Sequence, residues 1–246
     1  MLLSILTLSY NSITTVEKAI FSVISQSLDE FEYLVIDGGS SDGSLELFSS
    51  IDYYNFKYIS EKDFGIYDAL NKGINLSTGD IIGILHSDDI YPDSEILDKI
   101  VELFNLTNCD GVYGDLNFLK DGHTIRKWES CKFNSILLDK GWMPAHPTLF
   151  LKREVFQKHG LYDTSFKIAA DYDFILRIFK DESLKFEYLP LVITNMSIGG
   201  VSTSGFKNLV FKSYEDWLVL KKNKMRFPLF ILLRKIFSKL SQYYAI

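Results

Sequence analysis

In the first 105 residues, four apolar runs of strand length alternate with stretches of helical spacing, and this order constrains the fold more than any other feature. The apolar runs are 2–8, 31–36, 56–60 and 80–85. The helical stretches are 14–26, 44–51, 67–75 and 94–106, the first with Val16, Ile20, Val23 and Ile24 on one face. Such alternation predicts a parallel sheet with helices on both faces. The runs are apolar throughout, as expected of strands covered on both sides. Strands one, two and four end in polar clusters, TLSYNS at 7–12, VIDGGSSDGS at 35–44 and HSDD at 86–89. Ligands of open α/β sheets bind at that carboxyl edge, so residues 1–105 are expected to form a nucleotide-binding half.

Residues 106–206 are less regular and are read as the acceptor side of the cleft. Strands are expected over 111–119, 149–151 and 188–195, and helices over 153–159 and 171–179. With 246 residues, 47% of them hydrophobic and only five prolines, the chain suits one large α/β domain and excludes a disordered one. Cys109 and Cys131 are too few for a disulfide framework and fit a reducing compartment. The start, MLLSILTLSYNS, lacks the basic segment and cleavage site of a signal peptide and reads as a strand.

Asp88-Asp89 follows the apolar strand IIGIL, and no Lys or Arg occurs between Asp80 and Asp98. Paired carboxylates in that setting suit Mg²⁺ or Mn²⁺ shared with substrate phosphates, although Asp also caps helices. Asp37 could accept hydrogen bonds from a nucleobase or ribose, with the adjacent glycines allowing close approach, and Asp42 reads as a structural cap. Asp68 and Lys72 stand four apart on one helix face, which fits either nucleotide and phosphate contacts or a surface ion pair. Asp171, between small alanines and an aromatic, suits a general base, and one of Asp171 and Asp173 is expected to cap its helix. In GWMPAHP at 141–147, Trp142 could stack on a sugar and His146 could bond acceptor or phosphate. Neither GxGxxG nor GxxxxGK[ST] is present, so dinucleotide enzymes and P-loop NTPases lack their principal signal.

Six motifs in order, TLSYNS, SVISQS at 22–27, VIDGGSSDGS, EKDFGIYDALNKGI at 61–74, GDIIGILHSDD at 79–89 and AADYDFILR at 169–177, resemble the inverting glycosyltransferase family 2 with its GT-A fold. That resemblance implies a Rossmann-like, mostly parallel sheet and a nucleotide-sugar donor, UDP-linked by family prevalence. It implies donor contacts by Thr7, Tyr10, Asn11, Asp37, Asp68, Lys72 and Asp88, with Mn²⁺ or Mg²⁺ on Asp89. Asp171 would act as base, and Trp142, His146 and Asp173 would line the acceptor side. The expected acceptor is a glycan or a lipid-linked hydroxyl. Two departures stand out: Ala170 replaces a Glu of the family's pattern, and His86 stands where many relatives have Asn. The QxxRW signature of processive synthases is absent, favouring transfer of one sugar. The alternatives are a sugar-1-phosphate nucleotidyltransferase, which should carry a Gly-rich basic loop after the first strand, and a non-catalytic nucleotide-sugar scaffold.

From Lys207 onward, nine Lys/Arg face two acids, a surplus of seven that leaves −13 on the other residues. An acidic body argues against nucleic acid as partner. Phe230, Leu233, Phe237, Leu240 and Tyr244 recur at helical spacing, with Arg234, Lys235, Ser238, Lys239 and Gln242 away from them. Over 227–246 this predicts an amphipathic helix on a membrane surface, or one packed on the domain or on a second copy of the chain. The expected location is cytoplasmic, on the inner face of the cell membrane.

Overall fold

The computed structural model describes residues 1–197 and 206–241, with side chains over 1–197 and 210–237. Its first half alternates as the sequence predicts: β1 (Leu3–Ser9), α1 (Ile13–Ile24), β2 (Phe31–Asp37), α2 (Ser44–Ser50), β3 (Phe56–Ser60), α3 (Ile66–Leu76) and β4 (Ile81–His86). β1 pairs in parallel with β2 and β4, and β3 extends β2.

Beyond β4 come β5 (Asp89–Ile90), α4 (Ile96–Thr107), β6 (Gly111–Lys120), β7 (His123–Trp128), β8 (Phe150–Lys152), α5 (Arg153–His159), α6 (Ala170–Phe179) and β9 (Phe186–Ser197). The sheet runs β3-β2-β1-β4-β8-β6-β9-β5, with β7 on β6. Here the pairing is mixed: β8 is antiparallel to β4 and β6, β9 is parallel to β6, and β5 is antiparallel to β9. Only Ser87 and Asp88 separate β4 from β5, yet three strands lie between those two in the sheet. The sheet must therefore curl until its far edge returns to the end of β4. β5 and β7 escaped the sequence reading because one is two residues long and the other, HTIRKW, is half-exposed and polar.

Two cores cover the sheet. Leu3, Ile5, Tyr33 and Val35 pack under α1 and α4, while Leu6, Leu8 and Ile36 pack under α3 and α6. The second core also takes Val219, Leu220, Ile231 and Leu232 from the C-terminal hairpin α7 (Phe206–Lys222) and α8 (Pro228–Ser241). These helices are thus part of the domain's packing.

Their orientation corrects the amphipathic assignment. Ile231, Leu232 and Lys235 face inward, whereas Phe230, Leu233 and Phe237 are 56%, 46% and 65% exposed. Lys235 sits 3.2 Å over the Tyr172 ring and 3.0 Å from Asp216. An ammonium can be enclosed there because a carboxylate and an aromatic face replace its water. Gly141, at φ +73°, lets this contact form, since a Cβ would lie 2.8 Å from that of Lys235. The side chains of Ser238, Lys239 and Leu240, and all of Gln242 and Tyr244, lie outside the described residues. Among the described residues, no helix is long and apolar enough to cross a membrane.

The tightest approach in the sheet is at Gly83 of β4, where a Cβ would fall 2.2 Å from Phe150 of β8. Gly83→Ala must push apart two buried strands, and overpacking of this kind costs about 1–3 kcal/mol. Urea unfolding should show a lower midpoint for the variant; an unchanged midpoint would contradict the packing described.

Candidate active site

The site forms where β4 ends, next to the start of α6. His86 closes β4, and the charges acting on its ring are those of Asp88 and Asp171. Burial pushes the His86 imidazole below its ordinary value against both acids, which favours the neutral ring. His146 lies behind it, ring centroids 6.3 Å apart, and its Nε2 shares a 2.8 Å hydrogen bond with the Tyr162 hydroxyl. Enclosure brings His146 down to about 4, again against the pull of Asp171. Tyr162 stacks on Tyr67, and Asn71 of α3 holds the Tyr162 backbone through both its amide atoms (2.9 and 3.0 Å).

Asp171 occupies the first turn of α6, half-buried, with Oδ1 accepting from the Tyr172 N–H at 2.7 Å. The Tyr67 hydroxyl donates to the Ile168 carbonyl at 2.6 Å and stands 3.5 Å from Asp171 Oδ1. Asp88, His86, His146, Asp171 and two tyrosines therefore gather at one place from four separate stretches of chain. A carboxylate beside a partly exposed cleft can take a proton or a cation, and neutral imidazoles can donate or accept.

The structure puts Asp88 and Asp89 in different surroundings. Asp89 pairs within β5 to Met196 of β9 and is fully buried, and among the described residues no group meets either of its carboxylate oxygens in good hydrogen-bond geometry. Its neighbours are Tyr91 and, beyond it, Tyr33, in the core under α1. Burial and the Asp88 charge push its carboxyl well above the carboxylate range, with a smaller opposing pull from the Ser197 amide. Asp88 is the partly exposed acid that acts on His86. The curl of the sheet is the reason: pairing with β9 draws Asp89 inside and leaves Asp88 in the link.

The other residues expected at the donor and acceptor sites have these surroundings. Thr7 is buried, its hydroxyl 3.1 Å from Tyr33 in the core. Asp37 is fully buried and accepts from the Gly39 and Ser40 N–H groups and from the Ser40 and Ser60 hydroxyls (2.5–3.0 Å), so it organises its own loop. Asn11, at φ +47°, joins that loop to the one after β1: its N–H donates to Ser40 Oγ, and its Oδ1 accepts from the Ser41 N–H. Lys72 lies 3.0 Å from Glu61 and 3.5 Å from Asp68, and Asp68 also accepts from the Phe64 N–H, so both hold residues 61–64. Trp142 is wedged among Tyr113, Phe133 and Phe179. Asp173 is sealed by Arg177, Lys222 and Asn223 at 2.9–3.0 Å. Asp42 is a cap as expected, accepting from the Ser44 and Ile13 N–H groups.

Tyr10, expected as a donor contact, is 66% exposed, and a Cβ on Gly38 would lie 3.2 Å from its ring and 2.6 Å from Asp63 Oδ2. The missing side chain of Gly38 thus lets Tyr10 and Asp63 close over the backbone, and Asp63 was not among the expected residues. Nor were Tyr67 and Tyr162; Tyr67 stood inside a motif already singled out, and nothing local marks Tyr162.

With this geometry in place, the comparisons are decisive. The sequence profile described as Glycosyl transferase family 2 matches residues 4–189. The chain belongs to that family. A PGL/p-HBAD biosynthesis glycosyltransferase of Mycobacterium bovis is 29% identical over 189 residues, 74% of this chain and 72% of that one. A glycosyltransferase of Mycobacterium tuberculosis is 31% identical over 190 residues, 71% and 67% of the two chains. Among solved structures, S. aureus TarS 1–349 superposes with a TM-score of 0.74 at 15% identity, over 98% of this chain and 72% of that one. The mannosyltransferase PcManGT from Pyrobaculum calidifontis, in complex with GDP-Man and Mn²⁺, gives 0.67 at 18% identity, over 99% and 73%. These likenesses show the GT-A fold, and the family makes the protein a glycosyltransferase.

The neutral, enclosed His146 has a consequence for stability. Its folded value, about 4, lies below the ordinary 6.5. The stability gained from keeping it neutral is present above about pH 6.5 and is lost as pH falls toward 4. A neutral replacement, His146→Gln, should flatten part of that acid loss, by an amount on the order of 2 kcal/mol between pH 7 and 4.5. Urea titrations at the two pH values measure it; parallel losses in both proteins would show that His146 does not titrate this way.

Proposed function

We propose that this glycosyltransferase moves one sugar from a nucleotide donor, UDP-linked, to a hydroxyl of a glycan or lipid-linked acceptor, with inversion at the anomeric carbon. The observation that carries the reading is the convergence of Asp88, His86 and Asp171 at the end of β4. Asp171 is the base: its carboxylate takes the proton of the acceptor hydroxyl as that oxygen attacks the anomeric carbon and the bond to the nucleoside diphosphate breaks. His86 and His146, both neutral, orient hydroxyls beside it without adding charge. The base of the nucleotide lies beside the exposed Tyr10, which stacks on its face, with Asp63 accepting from a ring N–H.

The donor set also fits Mn²⁺ or Mg²⁺. Asp88 is a hard, partly exposed oxygen ligand, and one carboxylate plus substrate phosphates suffices for such a cation. Among the described residues, no group of three or more His, Cys, Asp or Glu could hold a metal ion. When bound, the ion supplies charge to offset that developing on the departing diphosphate. The family match removes the ground for a nucleotidyltransferase reading. The scaffold alternative is separated from this one by turnover.

Thermal shift against UDP-, GDP- and dTDP-sugars with Mn²⁺ identifies the donor. Asp88→Asn should abolish the Mn²⁺-dependent part of that shift. Asp171→Asn should keep the shift while donor turnover falls by about 10²-fold or more. Near-normal turnover in Asp171→Asn would remove it as base.

The outward face of α8 supports membrane docking. Phe227, Leu229, Phe230, Leu233, Ile236 and Phe237 are exposed, with the Arg226 guanidinium 5.3 Å over Phe227 and that of Arg234 5.1 Å over Phe230. Apolar side chains interleaved with cations suit the interface of an anionic bilayer, where a lipid-linked acceptor would be met. Because Ile231 and Lys235 are core residues, truncation is a poor test, and Leu233→Ser with Phe237→Ser changes only the outer face. The double variant should lose binding to vesicles containing anionic phosphatidylglycerol while keeping its melting temperature. Retained binding refutes docking by this face, and a concentration-dependent dimer that the variant dissociates would assign the face to a second copy.

A further inference from the structure

We infer that Glu215, on the C-terminal hairpin and outside the segment matched to the family, is a positioning residue for Asp171. The inference rests on the reading of Asp171 as base. Glu215 is buried on α7, and its carboxylate meets three consecutive backbone amides. Oε1 accepts from the Lys167 N–H at 2.8 Å, and Oε2 accepts from the Ile168 and Ala169 N–H groups at 2.8 and 3.0 Å. Ala169 is the N-cap of α6, two residues before Asp171.

The same short segment is fixed from its other side, because the Tyr67 hydroxyl donates to the Ile168 carbonyl at 2.6 Å. Ala169 and Ala170 carry no polar side chain that could hold the start of α6, and the N-cap makes no side-chain hydrogen bond. Helix starts leave N–H groups in need of acceptors, and here the nearby donors are met by an acid from a distant helix. An anion at that end also complements the helix dipole. Removing the carboxylate leaves three buried or half-buried N–H groups without acceptors, and the segment must move to find water.

Further down, α7 and α8 hold α6 twice more. Lys222 and Asn223 bond Asp173, and Lys235 with Asp216 covers the Tyr172 ring. Those contacts fix the helix body, whereas Glu215, with Tyr67 on the other side, fixes the turn that carries Asp171. A base displaced by about 1 Å loses on the order of 10²-fold in rate without weakening donor binding.

The test compares Glu215→Ala, Glu215→Gln and Asp171→Asn in the full chain. Hydrogen–deuterium exchange is measured over 167–175, together with hydrolysis of the sugar nucleotide that stabilises the wild-type protein most, water standing in for the acceptor hydroxyl. Glu215→Ala should speed exchange over 167–175 at least tenfold and leave β1–β4 unaltered. Its kcat should fall at least tenfold, with donor KM within twofold. Glu215→Gln, which keeps one acceptor oxygen, should fall between Ala and wild type in both readouts. Unchanged exchange over 167–175, or faster exchange with undiminished kcat, overturns the proposal. If Asp171→Asn turns over normally the base reading fails by itself, and the exchange result still shows whether Glu215 orders the turn.

Discussion

The return of the sheet's far edge to the end of β4 is the constraint on which the site depends. β4 is a central strand, paired with β1 along its length and with β8 at Ile81 and Ile82, and β5 begins after two residues as the last strand of the opposite edge. A two-residue link cannot reach across three strands unless the sheet curls, and the antiparallel β8 supplies the turn by pairing with both β4 and β6. The close approach of Phe150 to Gly83 is the local mark of that curvature. From it follow the enclosure of Asp89, the partial exposure of Asp88, and the position of His86 between two acids.

The second dependence is on buried charge. α6 is held by Asp173 with Arg177 and Lys222, by Asp216 with Lys235 over Tyr172, and by Glu215 on the backbone of 167–169. Breaking a buried pair costs more than replacing both members by apolar groups would. Such contacts are therefore poor evidence of stability as such. What they supply is registry: each fixes α6 against α7 or α8 at one point along its length, and a helix bearing a base at its first turn needs that definition.

Much of the fold was legible because covered strands and amphipathic helices write their period into the sequence. The first four strands and the helices between them lie where the spacing puts them, and so do β6, β8, α5 and α6. The site was legible by segment more than by residue. Asp37 and Asp88 follow the two strands that flank β1, yet one is absorbed by four hydrogen bonds from its own loop and Ser60 while the other stays partly exposed. No spacing distinguishes them, since the difference lies in where Ser40, Ser60 and β9 happen to be. The burial of Asp89 was hidden for the same reason: adjacent residues of a strand point to opposite faces, and without β5 in view its face could not be assigned. The partners that hold Trp142 and Asp173, among them Phe179 and Lys222, are remote in sequence, so their enclosure was not legible either.

The basic tail shows how a charge count can be right and still misplace the charge. Lys222 and Lys235 contribute to the surplus of seven, but their ion pairs with Asp163, Asp173 and Asp216 turn them toward the domain. Arg226 and Arg234 are left on the outside, each over an exposed phenylalanine, and Lys221 lies 4.3 Å from the Trp217 ring. The hairpin therefore has two chemically different faces. Its inner face carries charges that meet α6 or one another, and its outer face is aromatic with cations over the rings. A helix that served only as an anchor would have no use for the first, and one that served only as packing would have no use for the second. Joined on one hairpin, they place whatever meets the outer face one helix away from the turn that carries Asp171.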